Sequence, residues 1–254
     1  MSYVVLMDFD GTLVNDNKEI RNDHLNILKN FLLNNKICIV SSEPYQSLLN
    51  FKNKYNLNID IFSSSSGIST INGETIINNL PSSVINLLFE AFENNIYTAY
   101  GESLDKSFVY NYQERLEALY PKNNREIITN LDSDVSSFTF AISNTITTEF
   151  IELLNQLNID YKIIAQDKNR DIFQIYRNNI SKVDAYYLIK KAYPNKKIVG
   201  ISDSYYDFDM MEKCDIKVAM INGDDKLKFN CDYVTHTSNN EGGAILILND
   251  ICNL

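Results

Sequence analysis

An unbroken apolar run, Val4, Val5, Leu6 and Met7, leads directly into Asp8, Phe9 and Asp10. Such a run is the composition of a strand buried on both faces. From 20 to 34, Ile20, Leu25, Leu28 and Leu32 recur at helical spacing and predict a helix with one apolar face. The stretch KICIVSS predicts a second strand, Pro44 stands where a following helix would begin, and IDIF predicts a third strand. Strand and helix alternate, which favours a parallel sheet covered on both faces. The four serines at 63–66 read as loop, and Asn72-Gly73 within ISTINGETII is a strong hairpin signal.

The pattern changes between about 81 and 175. Residues 83–94 and 147–157 predict helices, while SSFTFAIS, YKIIA and DIFQIY predict strands. From 181 the first pattern returns, with a helix over 181–192, strand KIVGI, a helix near 206–213, strands IKVAM and DYVT, and a last helix from about 242. The expectation is a core domain formed by 1–80 and 178–254, interrupted by a smaller α+β domain over 81–177.

Composition narrows the chemistry. The chain has 254 residues, 44% of them hydrophobic, with 16 Tyr and 13 Phe, ample for a sizeable core. Its formal charge is −10, and no basic run interleaves with aromatics, so a nucleic-acid surface is not expected and an anionic substrate would need a local cation or metal. Cys38, Cys214, Cys231 and Cys252 show no CxxC spacing, and His24 and His236 are the only histidines. That argues against a zinc site or a disulfide framework, and both histidines read as ordinary surface or satisfied residues. Residues 1–7 carry no cationic stretch and no apolar run approaches a membrane span of about 18 residues. The expectation is a reduced, cytoplasmic protein with no membrane contact and no evident protein partner.

In an open parallel sheet, ligands bind beyond the carboxyl ends of the strands. Asp8 and Asp10 fall at the end of the first predicted strand, Ser41 and Ser42 at the end of the second, and Asp203 just past KIVGI. Carboxylates at i and i+2 repel unless a cation lies between them or one is protonated. With Asp203 as a third acid, a hard cation with oxygen ligands, Mg²⁺ by preference, is the simplest resolution, and carboxylates that share a metal with a substrate usually handle phosphate.

At these positions the chain resembles the haloacid dehalogenase superfamily. DFDGTLV resembles the first signature, Ser41 falls at the second, ISKVDAYYLIKK resembles the third with Lys182 opening a helix, and GISDSYYDFDMM resembles the fourth with Asp203 and Asp207. The insert, FQIYRNNISK and VAMINGDDKLKFNCDYVTHTSNNEGGA are similar to the Cof-like branch with a type IIB cap. The resemblance implies an α/β fold, a Rossmann-like doubly wound parallel sheet with an inserted α+β cap. It implies a Mg²⁺-dependent phosphatase acting on a small phosphorylated metabolite such as a sugar phosphate.

On that resemblance Asp8 is the nucleophile that becomes an aspartyl-phosphate, and Asp10 is the general acid and base. Gly11, Ser41, Ser42 and Lys182 bind the phosphate. Asp8, Asp10 through its backbone carbonyl, Asp203 and Asp207 form the metal group, with Asp207 better placed to orient than to ligate. Lys168 and Arg170, in the QDKNRD loop of the cap, are the candidates for selecting substrate, and the cap is expected to hinge near 80 and 178. The chain departs from the branch in having Ser42 and Glu43 where Gly and Arg are usual, Ser202 where Gly is usual and Tyr206 where Asn is common. Two alternatives follow, a phosphotransferase or mutase using the same Asp8, and a catalytically weak module that binds a phosphorylated ligand.

Overall fold

In a computed structural model, residues 2–119, 124–177 and 180–251 are described. The expected hinge point at 178 and the thiol of Cys252 lie outside them. The strands in chain order are β1 (Tyr3–Met7), β2 (Lys36–Ser41), β3 (Asp60–Ser63), β4 (Ile68–Ile71), β5 (Glu74–Ile77), β6 (Ile96–Glu102), β7 (Ser107–Tyr110), β8 (Arg125–Ile128), β9 (Ser137–Ser143), β10 (Asp160–Gln166), β11 (Arg170–Tyr176), β12 (Lys197–Ser202), β13 (Ile216–Ala219) and β14 (Tyr233–Val234). They form two sheets and, with the helices, a mixed α/β fold.

The chain divides into two compact units. The first comprises 1–64, 69–76 and 181–254, and the second comprises 65–68 and 77–180. The expected boundary at 80 therefore falls earlier, because Leu80 and Val135 exchange backbone hydrogen bonds within the second unit.

The first unit carries an eight-stranded sheet in the order β14-β13-β12-β1-β2-β3-β4-β5. β1 is parallel to β2 and β12, and every one of its residues is buried, as its unbroken apolar composition requires. Between β4 and β5, Asn72 (φ 51) and Gly73 (φ 82) are both left-handed, the backbone that a two-residue hairpin loop needs. The helix Tyr45–Tyr55 starts immediately after Pro44. The helix expected over 20–34 is shorter, Asn22–Phe31, and buries His24, Leu28 and Phe31. Ile20 lies outside it, buried, with its N–H donating to the Tyr55 hydroxyl at 3.1 Å, and Leu33 is exposed beyond its end.

The second unit has a six-stranded sheet in the order β10-β11-β9-β6-β7-β8 and the helices Ser82–Phe92 and Thr147–Gln156. β6, β7 and β8 have no counterpart among the predicted elements. One face of this sheet meets both helices through a cluster of Phe89, Phe138, Phe140, Phe150 and Phe173. β11 buries Asp171, Phe173 and Ile175 in alternation, the period of a sheet with one covered face.

Cys38, Cys214 and Cys231 are free thiols. Among the described residues no helix is long and apolar enough to cross a membrane.

Candidate active site

β1 ends at Met7, which stands level with Ile201 of β12 and Ile39 of β2, so three strand ends share one rim of the sheet. Asp8 continues that alignment, donating its N–H to the Ile201 carbonyl at 3.0 Å. The chain then turns through a tight loop, Phe9–Leu13, in which Asp10 is extended (φ −71, ψ 137) and Gly11 is left-handed (φ 69). A methyl group on Gly11 would sit 2.3 Å from Asp203 Oδ2, so only glycine lets the loop approach this carboxylate.

Lys182 opens the helix Lys182–Ala192, whose start is held by reciprocal hydrogen bonds between Ser181 and Asp184. Its ammonium donates to Asp8 Oδ1 at 2.6 Å and to Asp207 Oδ2 at 2.8 Å. The Ser202 hydroxyl also donates to Asp207 Oδ2 at 2.6 Å. Asp207 is thus committed to fixing Lys182, while Lys182 is fixed on Asp8. Asp203, just past β12, accepts from the Thr12 hydroxyl at 3.2 Å, and its carbonyl accepts from Asp224 N–H at 2.8 Å.

Electrostatics follow from burial. Burial pushes the Asp8 carboxyl up to about 7, with Lys182 pulling it down and Asp207 pushing it further up. Burial likewise raises Asp203 above the ordinary carboxylate range, against hydrogen bonds that favour its charge. Burial alone would lower Lys182, but Asp8 and Asp207 outweigh it and hold the ammonium above its usual value.

Ser41 is buried at the end of β2 and its Oγ accepts from Glu43 N–H at 2.9 Å, leaving the hydroxyl proton free to point elsewhere. Ser42 Oγ lies 3.4 Å from Ser64 Oγ. Glu43 and Asp10 share one cation: Lys18 Nζ stands 2.5 Å from Glu43 Oε1 and 3.4 Å from Asp10 Oδ1. Asn222 Nδ2 donates to the Gly11 carbonyl at 2.8 Å and so ties the loop down from the strand-β13 side.

The structure therefore ties Asp8, Lys182 and Asp207 into one hydrogen-bonded group. Gly11 and Asp203 are in near contact, and Asp10 and Glu43 are joined by Lys18. Lys168 and Arg170 belong to the second unit, Lys168 in the exposed turn between β10 and β11 and Arg170 at the first position of β11, where Arg170 Nε is paired with Asp167 Oδ2 at 2.6 Å. Thr12, Lys18 and Asn222 are participants that sequence reasoning passed over. Thr12 lies inside the DFDGTLV motif and could have been read there, whereas nothing in the sequence distinguishes Lys18 from other solvated lysines.

Among the described residues no three His, Cys, Asp or Glu side chains gather into a group able to hold a metal ion unaided. The available donors are the Asp8 and Asp203 carboxylates and backbone oxygens of the loop. Both carboxylates are disfavoured as bare anions by their burial. Mg²⁺ commonly takes one or two carboxylates and keeps several waters, so this hard-oxygen set fits it.

The profile of the haloacid dehalogenase-like hydrolases matches residues 5–247. The chain is a haloacid dehalogenase-like hydrolase. Over 265 aligned residues, 95% of each chain, this hydrolase is 23% identical to the Bacillus subtilis 5-amino-6-(5-phospho-D-ribitylamino)uracil phosphatase YitU. The crystal structure of TM0651 from Thermotoga maritima shares its fold with a TM-score of 0.79 at 22% identity, covering 98% of this chain and 96% of that one. A haloacid dehalogenase-like hydrolase from Bacteroides thetaiotaomicron shares it with a TM-score of 0.77 at 21% identity, covering 98% and 99%.

Proposed function

We propose that this hydrolase is a Mg²⁺-dependent phosphatase that releases phosphate from a small phosphorylated metabolite through an aspartyl-phosphate on Asp8. The observation that carries the reading is the buried Asp8–Lys182–Asp207 group at the carboxyl ends of the strands, with Asp203 against the same loop. The phosphatase named for the Bacillus subtilis relative, which acts on a phosphorylated ribityl compound, supports phosphate monoesters of sugar-like alcohols as the substrate class.

Asp8 attacks phosphorus as the leaving alcohol departs, which splits one difficult displacement into two easier ones. Lys182 binds the phosphoryl oxygens and brings positive charge to them beside Asp8. Asp10 protonates the leaving oxygen and then takes a proton from the water that cleaves the aspartyl-phosphate. Ser41 and Ser42 donate hydroxyl hydrogen bonds to the phosphoryl group, and Gly11 lets backbone N–H groups of the loop face it. Asp8, Asp203 and the Asp10 carbonyl hold Mg²⁺, while Asp207 keeps Lys182 in place. When bound, Mg²⁺ supplies the positive charge that keeps Asp8 ionised and offsets charge developing on the phosphoryl oxygens. The second unit acts as the cap that selects the leaving group, and the protein works in the cytoplasm.

Glu43, at the second signature, does not leave an uncompensated negative charge, because Lys18 pairs with it. That pairing favours an active enzyme over the weak binding module.

A panel of phosphorylated metabolites, assayed for phosphate release with and without Mg²⁺, tests the proposal. Wild-type protein is expected to turn over at least one sugar or sugar-alcohol phosphate only with Mg²⁺, and Asp8→Asn to lose turnover by a factor on the order of 10³ or more while remaining folded. Phosphate release by Asp8→Asn at the wild-type rate would refute the mechanism.

A further inference from the structure

The loop that follows the catalytic turn places one cation over two acids. Asn15 Oδ1 accepts from Asn17 N–H at 3.0 Å and from Glu19 N–H at 2.9 Å, and Lys18 N–H donates to the Asn15 carbonyl at 2.8 Å. Outside the loop, the Asp16 carboxylate accepts from Asn239 Nδ2 at 3.1 Å and Asn240 Nδ2 at 3.0 Å, and Asp16 N–H donates to Asn240 Oδ1 at 3.1 Å. Lys54 Nζ donates to Glu19 Oε1 at 3.0 Å. The loop is pinned at both ends, and at its apex Lys18 adopts φ 57, a left-handed backbone that disfavours a lysine.

Stability does not account for that choice. The pairs Lys18 makes with Asp10 and Glu43 involve a side chain more than half exposed, and exposed ion pairs contribute little to folding. An unfavourable backbone held in place beside a site is better explained by what it presents to the site. What Lys18 presents is an ammonium anchored on Glu43, within reach of Asp10 Oδ1, whose carboxylate is half exposed and sits on the extended part of the Phe9–Leu13 loop.

We propose that Lys18, anchored by Glu43, is a positioning residue that holds the Asp10 carboxylate in one orientation for proton transfer. The proposal rests on the role assigned to Asp10 above. Proton transfer needs a donor and acceptor within hydrogen-bond reach, so a carboxylate free to rotate spends part of its time misaligned. Glu43 fixes the ammonium from the far side, and its loss should matter less than that of Lys18 itself. Because the two act as one device, their effects should not add.

The test uses the full chain with Mg²⁺ and p-nitrophenyl phosphate, comparing wild type, Lys18→Met, Lys18→Arg, Glu43→Gln and the Lys18→Met/Glu43→Gln double variant. Lys18→Met is expected to lower kcat by about tenfold with KM within about twofold, a fraction of what general acid–base catalysis contributes. Lys18→Arg should restore most of that loss, the double variant should be no worse than Lys18→Met, and melting temperatures should be unchanged. Crystal structures of metal-loaded wild type and Lys18→Met read the same point without turnover, with Asp10 expected in one orientation in the first and several in the second. Unchanged kcat in Lys18→Met, or a loss that Arg does not rescue and that tracks a lower melting temperature, would overturn the proposal. If wild type releases no phosphate from any monoester, the phosphatase reading fails separately, and the Asp10 orientations decide the role of Lys18; identical orientations in both structures sink it.

Discussion

Asp8 is where charge, burial and chemistry meet in a single residue. Its carboxyl is pushed up to about 7 in the folded chain, whereas an unfolded aspartate titrates near 3.8. A raised folded value means that the native state holds its proton longer, so stability from this group is full at low pH and is lost as pH climbs from about 4 to about 7. In metal-free protein we expect Asp8→Asn to remove that loss, gaining on the order of 1–3 kcal/mol over wild type between pH 4 and pH 7. Thermal melts of both proteins across that range check it, and parallel curves would show that the Asp8 charge is not costly. The residues of this group were legible in the sequence because acids at strand ends and a lysine opening a helix occur in short, ordered motifs. Lys18 was not, since its position depends on a left-handed turn held by Asn15 and on Asn240 reaching Asp16 from a distant part of the chain.

Elements were readable where one period dominated. β1 and β12 are apolar runs with few alternatives, and the helix start after Pro44 is marked by that proline. The helix Asn22–Phe31 was overextended because Ile20 and Leu32 fit its spacing although Ile20 is buried by contacts outside the helix. β6, β7 and β8 escaped because they mix polar and apolar residues without a clean alternation. β8, an edge strand, exposes Ile127 and Glu126, so its burial pattern comes from its neighbour and not from its own sequence. What holds the second unit together is aromatic: Phe140 is fully buried, with ring centroids 5.3 Å from Phe138, 5.5 Å from Phe150 and 5.9 Å from Phe89. Phe140→Ala should destabilise this unit by about 3–5 kcal/mol, the cost of deleting a buried ring that its neighbours cannot fill. Denaturant unfolding followed by a probe in the second unit measures this, and a cost under about 1 kcal/mol would mean that the cluster repacks.

Across the whole molecule the two units divide the labour we propose, one holding the phosphoryl chemistry and the other choosing its leaving group. Every residue assigned to phosphate or metal belongs to the first unit, while Lys168 and Arg170 belong to the second. Replacing both by Ala should therefore change the ranking of phosphorylated metabolites and spare p-nitrophenyl phosphate, which offers no second anionic group. Equal losses on all substrates would assign the pair to folding or to the chemistry, and an unchanged ranking would return Arg170 to its ion pair with Asp167 alone. The fold class was legible at this scale because two stretches of strand–helix alternation flank a differently patterned insert. The exact division was not, since residues 65–68 and 77–80 join the second unit through backbone bonds that leave no trace in hydrophobic pattern.

The register of β1 against β12 sets an order of events during synthesis. Tyr3 pairs with Lys197, so the first strand leaves the ribosome about 190 residues before the strand that will flank it on one side. At 5–20 residues per second that is a wait of about 10–40 s. Until then β1 can pair only with β2, and one edge of a wholly apolar strand stays open to any other extended chain. Asp8 waits as well, because Lys182 and Asp203 are not yet made. The nascent chain therefore passes through a period in which its most adhesive strand is exposed and its nucleophile is unpartnered. Protection by chaperones, or rapid folding of the second unit in between, is what this topology asks of the cell that makes it.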